Sequence, residues 1–585
     1  MRYSTLPVQK STRQTTDVFR GYNHNLRIGD GEFYDMKNLT SDYYPILAPR
    51  PKRGVHELFE VEAMLAKDSL CFIHDGHFVM NRHGEDLGLQ DFFDDAGNII
   101  PKQMVSMGAY VIILPDKKYI NTADLTDKGA IEAEWVSTSK DVTFSLCTLT
   151  GDPYADIEEG DVAPENTEKK WLDTSSTPHI LKQYASASDM WVTIPTTYIK
   201  VSAEGIGAEF REGDGVTISG IVAEGVTDLN GTMVVRKCDL DYIVVTGILD
   251  NTAVQTAEQG SITVGRYMPE MDFVIESENR LWGCRYGLNR NGNVVNEIYC
   301  SKLGDFKNWN CFMGLATDSY AVSCGTDGPF TGAITHLGHP LFFKETCLHK
   351  VYGNYPANFQ VQATACRGVQ KGSAKSLAIV NEILYYKSRL GVCGYDGSLP
   401  VEVSAALGET AYFNAVGGAH GNKYYISMAD DSGIYHLFVY DTARGMWHKE
   451  DNTQVKGFCS CRNELYFVAD GKTCTYFSNE GADNAPVEWM AQTGIIGVDS
   501  PDSKYISRLN VRMALEIGTV VSFFIEYDST GTEEFVGTTT GTSLCSFSIP
   551  IRPRRCDHLR LKIKGQGPAK IFSITKTIEQ GSDQR

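Results

Sequence analysis

Residues 421–447 carry the pattern that decides the fold: Gly421-Asn422-Lys423-Tyr424-Tyr425-Ile426, a polar interval, Ile434–Tyr440, then Asp441-Thr442-Ala443-Arg444-Gly445-Met446-Trp447. A small or turn-forming pair precedes an apolar and aromatic run, which is how a turn feeding a strand reads in sequence. The arrangement recurs as Asn279-Arg280-Leu281-Trp282, Gly338-His339-Pro340-Leu341-Phe342-Phe343, Asn381-Glu382-Ile383-Leu384-Tyr385-Tyr386 and Arg462-Asn463-Glu464-Leu465-Tyr466-Phe467. With Leu281, Leu341, Leu384, Tyr424 and Leu465 as markers, the steps are 60, 43, 40 and 41 residues. The last three match the period of about 40–50 residues at which sheet-forming blades repeat. Four strands with short turns fill that length, and one such sheet cannot bury both faces alone. The longer first step accommodates a loop around Trp309 and Asp327-Gly328.

Within this stretch, Tyr440-Asp441-(x)5-Trp447 resembles the strand, turn and large aromatic of kelch-type blades. Earlier hairpins have the same character: Leu70-Cys71-Phe72-Ile73, Asp75-Gly76, Phe78-Val79-Met80, and Tyr110–Leu114, Asp116-Lys117-Lys118, Tyr119-Ile120. The expected fold is therefore all-β: a β-propeller of about 6–8 blades formed by 65–150 and 266–485, behind an N-terminal arm (1–64). Residues 151–265 interrupt it. Their first twenty carry seven acidic side chains with Pro153 and Pro164, which reads as a solvated loop. Short strands follow at Thr196–Val201, Gly215–Ser219, Thr232–Val235 and Tyr242–Thr246, with turns at Gly213-Asp214-Gly215 and Asn230-Gly231. The latter pair is a strong hairpin signal. This predicts an inserted small β-barrel or sandwich. Residues 490–585 predict a C-terminal β-sandwich. There Leu509, Val511 and Met513 alternate with Arg508, Asn510 and Arg512, and Leu559, Leu561 and Ile563 with Arg560, Lys562 and Lys564.

Composition fits that reading and narrows the chemistry. Hydrophobic residues make up 42% and aromatics 11% of the 585 residues, with 29 Tyr and 26 Phe suited to pleated, half-buried strands. The net charge of −19 argues against a protein that grips nucleic acid with clustered cations. It permits an acidic surface past which DNA slides. No apolar run reaches the ~18–20 residues of a membrane span, and polar residues follow Met1–Pro7 where a secretory signal would be apolar. The 15 cysteines are odd in number and contain no C-x-x-C pair, which suits free thiols in a reducing cytosol.

Few residues offer the chemistry of a site. His74-Asp75-Gly76-His77 offers two imidazoles and a carboxylate, yet reads as a surface turn, and Gly338 and Pro340 break any helix that would align His336 with His339. Phosphate-cradling loops, the dinucleotide fingerprint and the G-x-S-x-G elbow are absent. Cys556, behind Arg552, Arg554 and Arg555, is the least implausible cysteine nucleophile, but a strand edge with a basic face explains it better. Arg552–Lys564 interleaves its cations with aliphatic residues rather than the aromatics that stack on bases. The expectation is no catalytic residue, no cofactor and no metal.

Three segments carry a family resemblance. Asn38-Leu39-x-x-Asp42-x-x-Pro45-x-Leu47-x-x-Arg50 is the skeleton of the first. Trp171-Leu172-Asp173-Thr174, Thr196–Lys200 and Asp214–Gly220 form the second, and Pro550-Ile551-Arg552-Pro553-Arg554-Arg555-Cys556-Asp557-His558 with 565–574 the third. Together they resemble stabilisation proteins of tailed phages, the packaged-DNA stabilisation or tail-nozzle components. The resemblance implies a propeller-bearing virion structural protein in the tail, assembled in the host cytoplasm. It would form a homo-oligomeric, commonly hexameric, ring beside the portal and adaptor, through which double-stranded DNA is retained and then ejected. The alternatives are a receptor- or glycan-binding tail component and a propeller hydrolase acting on host surface polysaccharide.

Overall fold

The computed structural model describes residues 11–94, 97–137, 141–249, 255–259, 261–497, 504–541, 543–552 and 554–580; Met1–Pro7 and Pro553 of the sequence reading lie outside them. The described residues form strands and four short 3-10 turns, with no α-helix. The chain divides into two compact units: Met1–Gly84, Phe343–Leu348 and Ala365–Arg585 in one, Glu85–Phe342 and His349–Thr364 in the other.

One motif, a four-stranded meander, builds most of both units. In the second unit it occurs as Gln103–Met107, Tyr110–Leu114, Lys118–Asn121 and Lys128–Ala130, and again as Phe273–Ser277, Arg280–Leu288, Val294–Cys300 and Tyr320–Ser323. The strands Gly332–His336, His339–Lys344, Cys347–Tyr352 and Gln360–Ala365 also follow one another in sheet order. In the first unit Ala63–Ala66, Leu70–His74 and His77–Met80 pair in sequence and lead into His83–Asp86. Two more meanders are Ala378–Val380 to Val401–Glu402 and Tyr412–His420 to Met446–Lys449. The last has three consecutive strands, Gly457–Cys461, Glu464–Ala469 and Lys472–Thr475. Its fourth comes from the N-terminal region: Gly54–Glu57 pairs antiparallel with Lys472–Thr475.

All five sequence markers sit in the second strand of a meander. The turn pairs before these strands have the geometry their sequences imply. Glu278/Asn279 (φ 52°, 58°), Leu337/Gly338 (50°, 75°) and Asn381/Glu382 (48°, 67°) are consecutive left-handed residues. That backbone matches the right-handed twist of the flanking strands. The second strands are buried along their length, as at Leu341–Phe343 and Tyr424–Ile426, so both sheet faces are covered. Within the first unit, Tyr425 and Val439 pack against Leu465 and Phe467, and Cys461 and Val468 against Leu70 and Phe72. Within the second, Ile112 and Tyr119 pack against Val274 and Leu281, and Trp282 and Ile298 against Phe342 and Val351.

A different module separates the two meanders that begin at Gln103 and Phe273. Ala133–Val136, which the sequence reading leaves among the blades before residue 151, pairs with Thr263–Arg266. Gly215–Ser219 and Gly231–Val234 complete that sheet, and a five-stranded sheet centred on Tyr198–Ser202 shares its core through Phe144, Ile199, Val216 and Val264. The acidic stretch expected to be a loop contains the strand Ile157–Gly160, parallel to Lys170–Asp173. Asn230-Gly231 is not a two-residue hairpin. Asn230 closes a 3-10 turn, and its amide accepts from Ile221 N (3.0 Å) and donates to Ile221 O (2.8 Å), fastening the longer connection.

The C-terminal strands form two sheets around one core. Lys504–Leu515 and Ala569–Gln580 lie central in one, with Cys545–Ile549 on one edge and the N-terminal strand Ser11–Thr16 on the other. The facing sheet runs through Glu488–Thr493, Leu559–Gln566, Val520–Tyr527 and Glu534–Thr540. It continues through Glu32–Lys37 and Gly21–Tyr22 into the meander that ends at Met446–Lys449. Val511, Met513 and Ile571 of one sheet meet Phe523, Leu561 and Ile563 of the other. Trp489 is 2% exposed, its Nε1 donates to Gly567 O (2.9 Å), and its ring covers Gly565 so closely that a Cβ there would lie 2.0 Å from it. Trp489→Ala therefore removes a large filled volume and is expected to cost about 3–5 kcal/mol. An unmoved chemical-denaturation midpoint would show that this packing does not hold the module together.

Candidate functional site

A densely connected polar site in the first unit is built from the Asn38–Arg50 skeleton. Asn38 adopts a left-handed conformation (φ 54°), which Asn tolerates better than most residues. Its backbone N–H donates to Glu450 O (2.7 Å) and its Nδ2 to Glu488 O (2.8 Å), while its Oδ1 accepts from Arg50 Nε (2.9 Å). Leu39 and Leu47 are buried, and Leu47 forms a backbone bridge to Ile571. Asp42 accepts from Lys423 Nζ (2.6 Å) and Thr40 Oγ1 (2.8 Å), and Pro45 O accepts from Phe19 N (3.2 Å). Each skeleton residue thus fastens the N-terminal segment to the C-terminal sheets, to the 423–451 strands or to itself.

Beside it lies an ionic cluster built on the buried Glu450, with Arg50, Arg53 and Asp451 half-buried around it. Arg53 reaches Glu450 (2.5 Å) and Asp451 (2.8 Å), and Arg50 reaches the same two carboxylates at 3.4 and 3.2 Å. The Tyr476 hydroxyl donates to Glu450, and the Arg53 guanidinium sits 5.4 Å from the Phe467 and Tyr476 ring centres. Burial pushes the Glu450 carboxyl up, and the two arginines only partly draw it back. Asp451 is also raised by burial, but Arg53 and Thr453 outweigh that and hold it below the usual carboxylate range. A cluster of this kind is costly to assemble and costlier to break, because removing one partner strands a buried charge. Arg53 immediately precedes Gly54–Glu57, so the cluster anchors the strand that completes the last meander.

In the second unit a polar cleft of about 750 Å³ is lined by Tyr110, Asp127, Lys128, Arg211, Asp305 and Lys307, among others. Its charges are largely spent on each other. Arg266 pairs with Asp214 (2.5 Å), Asn308 donates to Asp214 and Asp305, and Lys307 lies 4.0 Å from the Tyr119 ring centre. Hydrogen bonds from Tyr110 and Asn121 hold Asp127 below the usual carboxylate range, opposite to the upward shift of a general acid.

The sequence candidates lie apart from these sites. His74 stacks on Phe59 with ring centres 3.8 Å apart, while His77 is exposed and turns to Asp75 O. His336 is buried before a turn, and His339 Nδ1 lies 3.1 Å from Val351 O. No cluster of three or more metal-ligating side chains occurs among the described residues. All fifteen cysteines are free thiols. Cys556 is 4% exposed, and burial pushes its thiol up to about 11. In the basic stretch Lys562 and Lys564 pair with Glu533, Arg554 with Glu534 (2.8 Å), and Arg560 lies over the Tyr34 ring (4.4 Å). The Arg53 cluster was missed in sequence because its four charges come from segments some four hundred residues apart. No helix among the described residues is long and apolar enough to cross a membrane.

Neither a family model nor a curated protein matches the chain. Among solved structures, an exo-β-1,3-galactanase from Phanerochaete chrysosporium with galactose is 9% identical and covers 52% of this chain and 94% of its own, at a TM-score of 0.21. A Trypanosoma rangeli sialidase in complex with sialic acid is 9% identical and covers 91% and 96%, at 0.18. At such scores neither likeness bears on the chemistry of this chain.

Arg53→Gln leaves Glu450 and Asp451 without their closest cation and is expected to cost about 3–5 kcal/mol at neutral pH. The sign of its pH dependence follows from the carboxylates. Asp451, depressed in the folded chain, contributes stability that is fully present above its unfolded pKa of about 3.9 and is lost as pH falls through its folded value. Without Arg53 the largest part of that attraction is lost, although Arg50 and Thr453 remain, so the gap between wild type and variant should open as pH rises from about 3 to 7. A gap that is constant across that range in denaturant titrations would rule the ionic account out. For Cys556, iodoacetamide at pH 8 should leave the thiol unmodified in the folded chain, as read by peptide mass spectrometry. Rapid labelling of Cys556 would contradict its burial.

Proposed function

We propose that this chain is a structural subunit of a tailed-phage particle, at the tail nozzle or head–tail connector, where it retains packaged DNA and forms part of the ejection conduit. The single observation behind the proposal is the use made of the Asn38–Arg50 skeleton. The residues through which the chain resembles phage stabilisation proteins are the ones that fasten its N-terminal segment. We further propose that the seven meanders are blades of one propeller, with Gly54–Glu57 as the strand that closes it. Completing the last sheet with a strand from the opposite end of the sequence ties the two segments together and resists peeling. Stiffness of that kind suits a component that holds DNA under pressure, and we assign it no catalytic residue.

Locating the subunit in assembled particles by electron cryomicroscopy tests the reading. Copies arranged on the tail axis, in a ring, are the expected result; peripheral copies would favour receptor or glycan binding instead. Particles assembled with the Arg53→Gln subunit should package DNA and then lose it, seen as a smaller nuclease-protected fraction after gentle warming. Retention equal to wild type would remove the role in holding DNA.

A further inference from the structure

The outer face of the C-terminal sheet contradicts the acidic character of the rest of the chain. On this face Arg13, Thr577 and Arg508 lie in register across three strands, as do Thr15, Thr575, Asn510 and Ser548 across four. Ser573, Arg512 and Ser546 make the next row. Lys570 follows, opposite Ala514, with its ammonium 4.6 Å from the Tyr43 ring centre. Alternate residues of these strands, Leu509, Val511, Met513, Ile571 and Ile574, point into the core, which fixes the arginines on the outside. Arg13, Arg508 and Arg512 are all exposed, and none has an ion-pair partner among the described residues. Among the described residues of these rows an acid, Glu579, lies at the far end of the face, where it accepts from the Tyr505 hydroxyl.

We infer that this face is a contact surface for the phosphate backbone of double-stranded nucleic acid. Three guanidinium groups set among hydroxyls and an amide are the side chains that contact phosphate oxygens without reading sequence. Sheet geometry puts Arg508 and Arg512 ~13 Å apart along the strand and Arg13 ~10 Å from Arg508 across it, a span of a few phosphates on a duplex. The rows contain no apolar centre of the kind a protein interface buries. They also lack an aromatic row on which single-stranded bases would stack. An acidic chain with one cationic face meets a polyanion in a single orientation, because its remaining surface repels it. The inference rests on the proposed function only for where such a partner is met; the binding is a property of the purified chain, tested apart from particle assembly.

The experiment is fluorescence anisotropy of the purified full chain with a 30-base-pair duplex of random sequence, titrated at several salt concentrations. Binding should be weak and indifferent to sequence, and log K should fall against log salt with a slope of about −3. Arg508→Gln and Arg512→Gln should each reduce the slope by about 1, and the double variant with Arg13→Gln should bring binding to background. Arg554→Gln, whose arginine is paired with Glu534 in the neighbouring basic stretch, should bind as wild type does. Absence of duplex binding by the wild type, or affinity and slope unchanged in the triple variant, overturns the inference. So does a triple variant that loses only self-association in sedimentation, which would make the face a contact between copies of the chain.

Discussion

A four-stranded sheet whose second strand is apolar on both faces cannot stand in water alone, and the rest of this structure follows from that constraint. Each meander exposes two faces that need covering, and within a unit neighbouring meanders cover them, as Tyr425 and Val439 are covered by Leu465 and Phe467. The last sheet has only three consecutive strands, one fewer than the other meanders. Here the chain answers with Gly54–Glu57, drawn from four hundred residues away and held by the Arg53 cluster. The ionic cluster is a poor source of net stability, since desolvation offsets most of its attraction. Its value is specificity of place: a guanidinium that satisfies two carboxylates tolerates few other registers for the strand that follows it.

The parts of the fold that were legible in the sequence are those written locally. A turn pair and the strand after it are adjacent, so Asn381-Glu382 announces both the left-handed turn and the buried run Ile383–Lys387. Alternation in Leu509–Met513 likewise states which side faces the core. Local signals fail where pairing is distant. Ala133–Val136 resembles any other short strand, and only its partner at Thr263–Arg266 assigns it to the inserted module. Asn230-Gly231 has hairpin chemistry, yet its Asn side chain is captured by Ile221, so the pair ends a longer loop. Ser11–Thr16 is too polar to read as a strand, and it becomes one by completing the edge of Ala569–Gln580.

Charge was the least legible property, because sequence reports its sum and structure its distribution. The stretch Arg552–Lys564 looks like the basic feature of the chain, but Glu533, Glu534 and the ring of Tyr34 take up much of its charge. Arg13, Arg508 and Arg512, which have no ion-pair partner among the described residues, are isolated in sequence and assembled only by the register of three strands. A count of −19 is therefore compatible with a cationic face, and that face is sharpened by its surroundings. Repulsion from the remaining surface falls away within about 8 Å at physiological ionic strength, whereas contact with a guanidinium is shorter than that. On the proposed reading a duplex would meet the acidic surface as a short-range, screened repulsion and the arginines only on touching. Such a combination would let a polyanion be positioned without being gripped, which a uniformly basic protein cannot do.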